Sequence, residues 1–103
     1  MANVLNNSNF DSEISNGVVV IDFFATWCGP CKMLAPVFDE LSNEMNGTAK
    51  FFKVDIDESA DLARKYFVSS VPTIMIFKDG KAVETMVGFI PKENLEAKIK
   101  AHL

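Results

Sequence analysis

The sequence predicts an α/β domain built on a mixed β-sheet with helices on both faces. Three observations predict it. The run Val18 to Ala25 is apolar throughout apart from Asp22, as a central strand covered on two sides must be. The period then changes, and Leu34, Val37, Phe38, Leu41 and Met45 mark one helical face. Further on, Lys78-Asp79-Gly80-Lys81 is a hairpin signal, which forces one antiparallel pair among strands that otherwise need helical crossovers.

Taken in order, Asn3-Val4-Leu5 is expected to form a short edge strand. Ser8 is placed to cap a short helix through Phe10 and Ile14, with Asp11 three residues on in a capping-box pattern, and Asn16-Gly17 to stop it. The central strand follows, then a helix whose pattern runs from Lys32 to Met45. Pro36 deletes that helix's hydrogen bond to the Lys32 carbonyl and should kink the axis; Asn46-Gly47 ends it. Lys50 to Asp55 reads as a strand, and Ser59 to Tyr66 as a short helix after acidic residues. Thr73 to Phe77 and Ala82 to Val87 are the arms of the hairpin, with Gly88 closing the second. Pro91 suits a first helical turn, and Leu95, Ile99 and Leu103 recur every four residues behind it. The order is β-α-β-α-β-α-β-β-α, without linker, repeat or low-complexity tract, so residues 1–103 form one domain.

Composition narrows the functions. With 49 % hydrophobic and 23 % charged residues the chain has the make-up of an ordinary soluble domain. A net charge of −4 and no basic run longer than Arg64-Lys65 argue against a nucleic-acid partner. No stretch approaches the roughly 18 apolar residues of a membrane span. Met1 to Phe10 carries neither the basic nor the apolar region of a targeting segment, so a cytoplasmic location is expected. Thiols are kept reduced there, which favours a metal or catalytic role for a cysteine pair over a structural disulfide.

The only two cysteines stand in Trp27-Cys28-Gly29-Pro30-Cys31, where the central strand hands over to a helix. A nucleophilic thiol must be a thiolate, and the free N–H groups and positive dipole end of a helix start favour that anion at Cys28. Gly29 leaves room for a partner chain. Pro30 is tolerated in the first turn and stiffens the loop, keeping the sulfurs close in both redox states. Cys31, about one turn on, faces back toward Cys28. Cys28 is therefore read as the exposed nucleophile that attacks a disulfide, and Cys31 as the buried thiol that resolves the mixed disulfide. Trp27 supplies a flat apolar wall. Zinc is disfavoured because it wants four ligands, and the only other soft donor is the distant His102. Two inert buried thiols, or a Cys–His hydrolase, fit the Gly-Pro spacer and the placement of that histidine worse.

Two further positions bear on the site. Asp22 is costly to bury, and burial raises a carboxyl pKa. On the strand feeding the site, it is a candidate acceptor for the Cys31 proton, or else a polar residue on a partly exposed face or one paired for structure alone. Lys53 is either its partner on the neighbouring strand or an ordinary solvated lysine. In Val71-Pro72-Thr73 the proline opens a strand, which both a cis and a trans peptide satisfy.

With these residues in view the chain resembles the thioredoxins over essentially its whole length. The resemblance rests on Phe23-Phe24-Ala25-x-Trp27-Cys28-Gly29-Pro30-Cys31-Lys32, Pro36, Lys53-x-Asp55-x-Asp57, Val71-Pro72-Thr73, Phe77-Lys78-Asp79-Gly80 and Gly88. It implies a thioredoxin fold, a five-stranded mixed β-sheet flanked by four α-helices, with a cis bond before Pro72. It also implies a protein-disulfide reductase with no bound cofactor and a reversible Cys28–Cys31 disulfide, in which Asp22 and Lys53 tune proton transfer. Trp27, Gly29, Pro30, Val71, Pro72, Gly88 and Phe89 match the family's docking surface for protein substrates. Backbone groups near Val71 would pair with an extended substrate segment. The implied partners are a thioredoxin reductase or other electron donor and disulfide-bearing proteins; a monomer is expected. Phe24 and Phe89 depart mildly from the family pattern, where a second tryptophan and a small residue are common. An oxidase or isomerase would be expected to carry histidine beside the second cysteine, which is absent. A binding module without turnover would not need both cysteines.

Overall fold

In a computed structural model, which describes residues 2–103, nine elements follow the expected order. They are β1 (Asn3–Leu5), α1 (Phe10–Ile14), β2 (Val18–Phe24), α2 (Gly29–Glu44), β3 (Lys50–Asp55), α3 (Ala60–Lys65), β4 (Thr73–Lys78), β5 (Lys81–Val87) and α4 (Lys92–Lys100). The sheet order is β1-β3-β2-β4-β5. β1, β3 and β2 run parallel, and β4 is antiparallel to β2 and β5.

Side-chain alternation along β2 divides the core in two. Val18 and Val20 face α2 and α4, meeting Leu34, Phe38, Leu41, Leu95 and Ile99. Val19, Ile21 and Phe23 face α1 and α3, meeting Phe10, Ile14 and Leu62. Each face of the sheet thus buries one apolar set, which is why β2 shows no polar alternation except at Asp22. On the second face Phe10, Tyr66 and Phe77 form an aromatic cluster, with Phe10 edge-on to Phe77 at 5.7 Å between centroids.

Four local expectations change. Ser8 does not cap α1: the N-cap is Asn9, whose side chain accepts from the Asn6 N–H at 2.8 Å, while Asn6 accepts from the Ser8 N–H. The asparagines build an Asx turn before the helix instead of a capping box. α2 begins at Gly29, three residues before the expected start at Lys32, because Cys28, Gly29 and Pro30 supply its cap and first turn. Pro91 is the N-cap of α4 with extended backbone rather than a first-turn residue. Leu103 lies beyond α4, which ends at Lys100, and is exposed. The hairpin has the expected turn: Asp79 and Gly80 both hold positive φ, of 50° and 86°, as a type I′ turn requires. Asp79 Oδ1 also accepts from the Gly17 N–H at 2.8 Å, tying that turn to the start of β2.

Candidate functional site

The carboxyl ends of β2 and β3 and the start of β4 meet at one end of the sheet, and the cysteine pair sits there. Cys28 is the N-cap of α2 with extended backbone (φ −90°, ψ 116°), and its Sγ accepts from the Cys31 N–H at 3.1 Å. One of the four unsatisfied N–H groups of the helix start is thereby aimed at sulfur, the arrangement that favours an anion there. Cys28 and Cys31 are joined as a disulfide. Both are buried, with exposures of 4 % and 5 %, so the expected contrast of exposed Cys28 and buried Cys31 is not present in this oxidised state. In the disulfide, Cys28 packs in one cluster with Ala25 and Cys31, against Val71. What distinguishes the two sulfurs is the N–H donor, which serves Cys28 alone.

Cys28 Sγ lies 3.6 Å from the Val71 carbonyl oxygen. In the disulfide it has no proton to donate, so this is a contact. The Val71–Pro72 peptide is cis, as the resemblance implies. The Pro72 carbonyl accepts from the Gly88 N–H at 2.8 Å, fixing Gly88 beside the cis-proline loop. Val71 thus touches Cys28, and Gly88 is tied by its backbone to Pro72, the next residue along. Phe89, next to Gly88, is 43 % exposed. A Cβ at Gly29 would meet nothing within 4 Å, and Gly29 does not hold positive φ. The fold itself therefore does not require glycine there, while the open space leaves room for another chain.

Trp27 projects into solvent, 66 % exposed, and its indole Nε1 donates to Asp57 Oδ2 at 2.9 Å. Asp55 accepts in turn from the Asp57 and Glu58 N–H groups at 2.9 and 3.3 Å, which fixes the loop carrying Asp57. The spacing Asp55-x-Asp57 contained this support, but it reads as surface acidity until Trp27 is seen above it.

Asp22 is fully buried on the α2 face of β2, two residues on from Val20. Neither carboxylate oxygen has a hydrogen-bond partner. Burial pushes its pKa from 3.8 to about 6; the nearby Lys53 ammonium pulls it down, and Asp39 on α2 pushes it up. Lys53 is its register partner on β3, and Lys53 Nζ lies over the Phe24 ring at 4.6 Å from the centroid. A cavity of about 230 Å³ lies between Lys53 and the second cysteine, lined by Phe24, Ala25, Thr26, Cys31, Lys32, Ala35 and Lys53, and Asp22 is not part of its wall. Asp39 carries no signal of this role in the sequence, because its position on α2 reveals nothing of the strand beneath. A larger groove of about 490 Å³ runs past Asn16, Gly17, Asn46 and Thr48 at other loops and holds neither cysteine.

Among the described residues no group of three or more His, Cys, Asp or Glu side chains is placed to hold a metal ion. None of the described helices is long and apolar enough to cross a membrane.

A disulfide at a helix start, beside a cis-proline on a five-stranded mixed sheet, defines a thiol–disulfide oxidoreductase. The family model described as Thioredoxin matches residues 1–101. The chain belongs to the thioredoxin family, and it is a protein-disulfide reductase. It is 53 % identical to the thioredoxin of Staphylococcus saprophyticus over 97 residues, 94 % of this chain and 93 % of that one. Thioredoxins of Staphylococcus haemolyticus and Staphylococcus aureus are 52 % and 50 % identical over the same shares. Membership implies a reductase partner and disulfide-bearing substrates in general.

Proposed function

We propose that Cys28 is the attacking thiol and Cys31 the resolving one. In the reduced protein the Cys28 thiolate attacks one sulfur of a substrate disulfide. The substrate S–S bond breaks, its departing thiolate takes a proton, and a Cys28–substrate mixed disulfide forms. Cys31 then loses its proton, attacks Cys28 Sγ and releases the second substrate thiolate. Two electrons have moved from the Cys28–Cys31 dithiol to the substrate. The observation that carries this assignment is the N–H···S bond at Cys28, made at the helix start where a thiolate is most favoured.

Asp22 takes the Cys31 proton in this reading. It is supported by a buried carboxylate with both oxygens free, on the face of β2 covered by the helix that carries Cys31, and with a pKa of about 6. A base with a pKa near the working pH transfers protons most effectively. Lys53 keeps part of the Asp22 population ionised by its positive charge. Trp27, Gly29, Pro30, Val71, Pro72, Gly88 and Phe89 form the docking surface, on which the Val71 backbone pairs with an extended substrate segment.

A thioredoxin reductase, or another donor of two electrons, restores the dithiol, with no cofactor bound to this chain. Residues 1–103 act as one monomeric domain in the cytoplasm, where a pool of reduced thiols suits a disulfide reductant. Trapping tests the assignment of the two sulfurs. Cys31→Ser should accumulate a covalent complex with a protein disulfide through Cys28, and Cys28→Ser should accumulate none. The opposite pattern would reverse the roles.

A further inference from the structure

Phe67 is 91 % exposed, the most exposed of the large apolar side chains among the described residues, and it holds a positive φ of 58°. Its position explains the backbone. It follows α3, where the Phe67 N–H donates to the Arg64 carbonyl and the Val68 N–H to the Ala63 carbonyl, the paired bonds of a Schellman closure. Glycine suits the residue between those bonds, because a Cβ in the left-handed region costs stability. A phenylalanine there carries both the backbone strain and the exposure of its ring. Neither is repaid by packing: the neighbours Tyr66 and Val68 turn inward onto the α1/α3 core, and Phe67 alone points out. Strain that the fold does not need is a pointer to function.

The loop that holds Phe67 leads directly to the proposed docking surface. Ile56 is shared by two apolar clusters: like Tyr66 and Val68 it packs against the α1/α3 core, and like Val71 it packs against the cluster of Ala25, Cys28 and Cys31. Four residues on from Phe67 is Val71, so their Cα atoms are at most about 14 Å apart. Val71 O is itself 3.6 Å from Cys28 Sγ. A protein partner of ordinary size covers about 800 Å², a disc of about 16 Å radius. Centred on Val71 and Cys28, such a footprint is wide enough to reach the backbone of Phe67. A small disulfide reacting at Cys28 covers far less and does not reach it.

We propose that Phe67 is a specificity-determining residue of this reductase, an aromatic anchor that packs on an apolar side chain of a disulfide-bearing protein substrate. The inference rests on the docking surface proposed around Cys28 and Val71. The helix closure fixes the backbone at Phe67, so binding has only the two side-chain torsions of the ring left to order, and aromatic anchors are prominent among the residues that dominate interfaces.

Rates measured with the fully reduced protein test this, using insulin as a protein disulfide and glutathione disulfide as a small one. Phe67→Ala should lower the second-order rate constant for insulin about fivefold and leave that for glutathione disulfide unchanged. Phe67→Gly should show the same loss for insulin while raising the thermal midpoint, which separates docking from damage to the fold. An unchanged insulin rate overturns the inference, as does an equal loss with both disulfides, which would place the effect at the thiols. Trp27→Ala separates failure of the anchor from failure of the surface. If it slows insulin and Phe67→Ala does not, Phe67 alone is misassigned; if neither does, the docking surface fails as well. A wild-type dimer that Phe67→Ala dissolves would assign the ring to a second copy of the chain, and the inference would fall.

Discussion

Asp22 and Lys53 are register partners on adjacent parallel strands, yet neither carboxylate oxygen of Asp22 is hydrogen-bonded. Lys53 Nζ sits over the Phe24 ring instead. The lysine therefore acts on Asp22 through its field rather than as a fixed ion pair, and burial wins: the net shift is upward, to about 6. Direct pairing would have driven Asp22 the other way.

A consequence is a stability that falls as pH rises. Between the unperturbed value of 3.8 and about 6 the folded chain binds the Asp22 proton more tightly than the unfolded chain does. Stability from this group is full below pH 3.8, is lost through that window, and is flat above it. At about 1.4 kcal/mol per pH unit the loss is on the order of 3 kcal/mol. Urea unfolding of the oxidised protein from pH 4 to pH 8 should show this slope in wild type relative to Asp22→Asn. The variant should be the more stable of the two at pH 7. Parallel pH profiles would show that Asp22 is not charged at a cost in the folded state.

The same carboxylate should matter to one chemical step. Asp22→Asn is expected to slow resolution of a preformed Cys28 mixed disulfide by about 100-fold or more, and to slow its formation much less. Lys53→Met should raise the Asp22 pKa, since the only attraction that lowers it is removed. Rapid-quench kinetics separate the two steps, and titration of the Asp22 carboxyl by NMR reads the second effect. Equal slowing of formation and resolution would remove Asp22 from the proton path.

Asp57 should position Trp27. The indole is otherwise exposed, and its bond to Asp57 Oδ2 holds it in one orientation. Asp57→Ala removes about 0.5–1.5 kcal/mol of orienting interaction. Because Trp27 is the only tryptophan, its fluorescence anisotropy reports the change directly. Anisotropy should fall, and KM for a protein disulfide should rise a few-fold with kcat unchanged. Unaltered anisotropy would mean that the surrounding loop, and not Asp57, fixes the ring.

The core prediction concerns Phe10. It is fully buried and touches Phe23, Tyr66 and Phe77. Phe10→Ala should cost about 3–5 kcal/mol in chemical denaturation. A loss below about 1 kcal/mol would mean that short α1 relaxes into the space and contributes little to the fold.

Much of this was legible in the sequence because it is written in local pattern. The unbroken apolar run of β2, the Asp-Gly turn and the Cys-Gly-Pro-Cys start of α2 each specify their own geometry. Asp22 stood out because a carboxylate among valines and phenylalanines has no local excuse. What stayed hidden depends on parts brought together from a distance. Whether Cys28 is buried depends on Val71, 43 residues away. Asp57 gains its role from an indole 30 residues earlier. The turn before α1 hid for a different reason: serine and asparagine suit an N-cap equally well, yet the Asn9 side chain bonds back to the Asn6 N–H instead of capping the helix, and Asn6 accepts from the Ser8 N–H. The unusual conformation of Phe67 was illegible too, since nothing in Lys65-Tyr66-Phe67-Val68 marks a left-handed residue.

The direction of electron flow is tested most directly by equilibrating the Cys28–Cys31 pair with graded mixtures of reduced and oxidised glutathione and measuring the disulfide fraction. A reductase whose dithiol is a good donor should be disulfide-bonded even in strongly reducing mixtures, because it gives its electrons to the buffer. If the pair stays dithiol until the buffer is oxidising, the chain is poised to take electrons from its partners, and the flow from Cys28 and Cys31 to substrate is reversed.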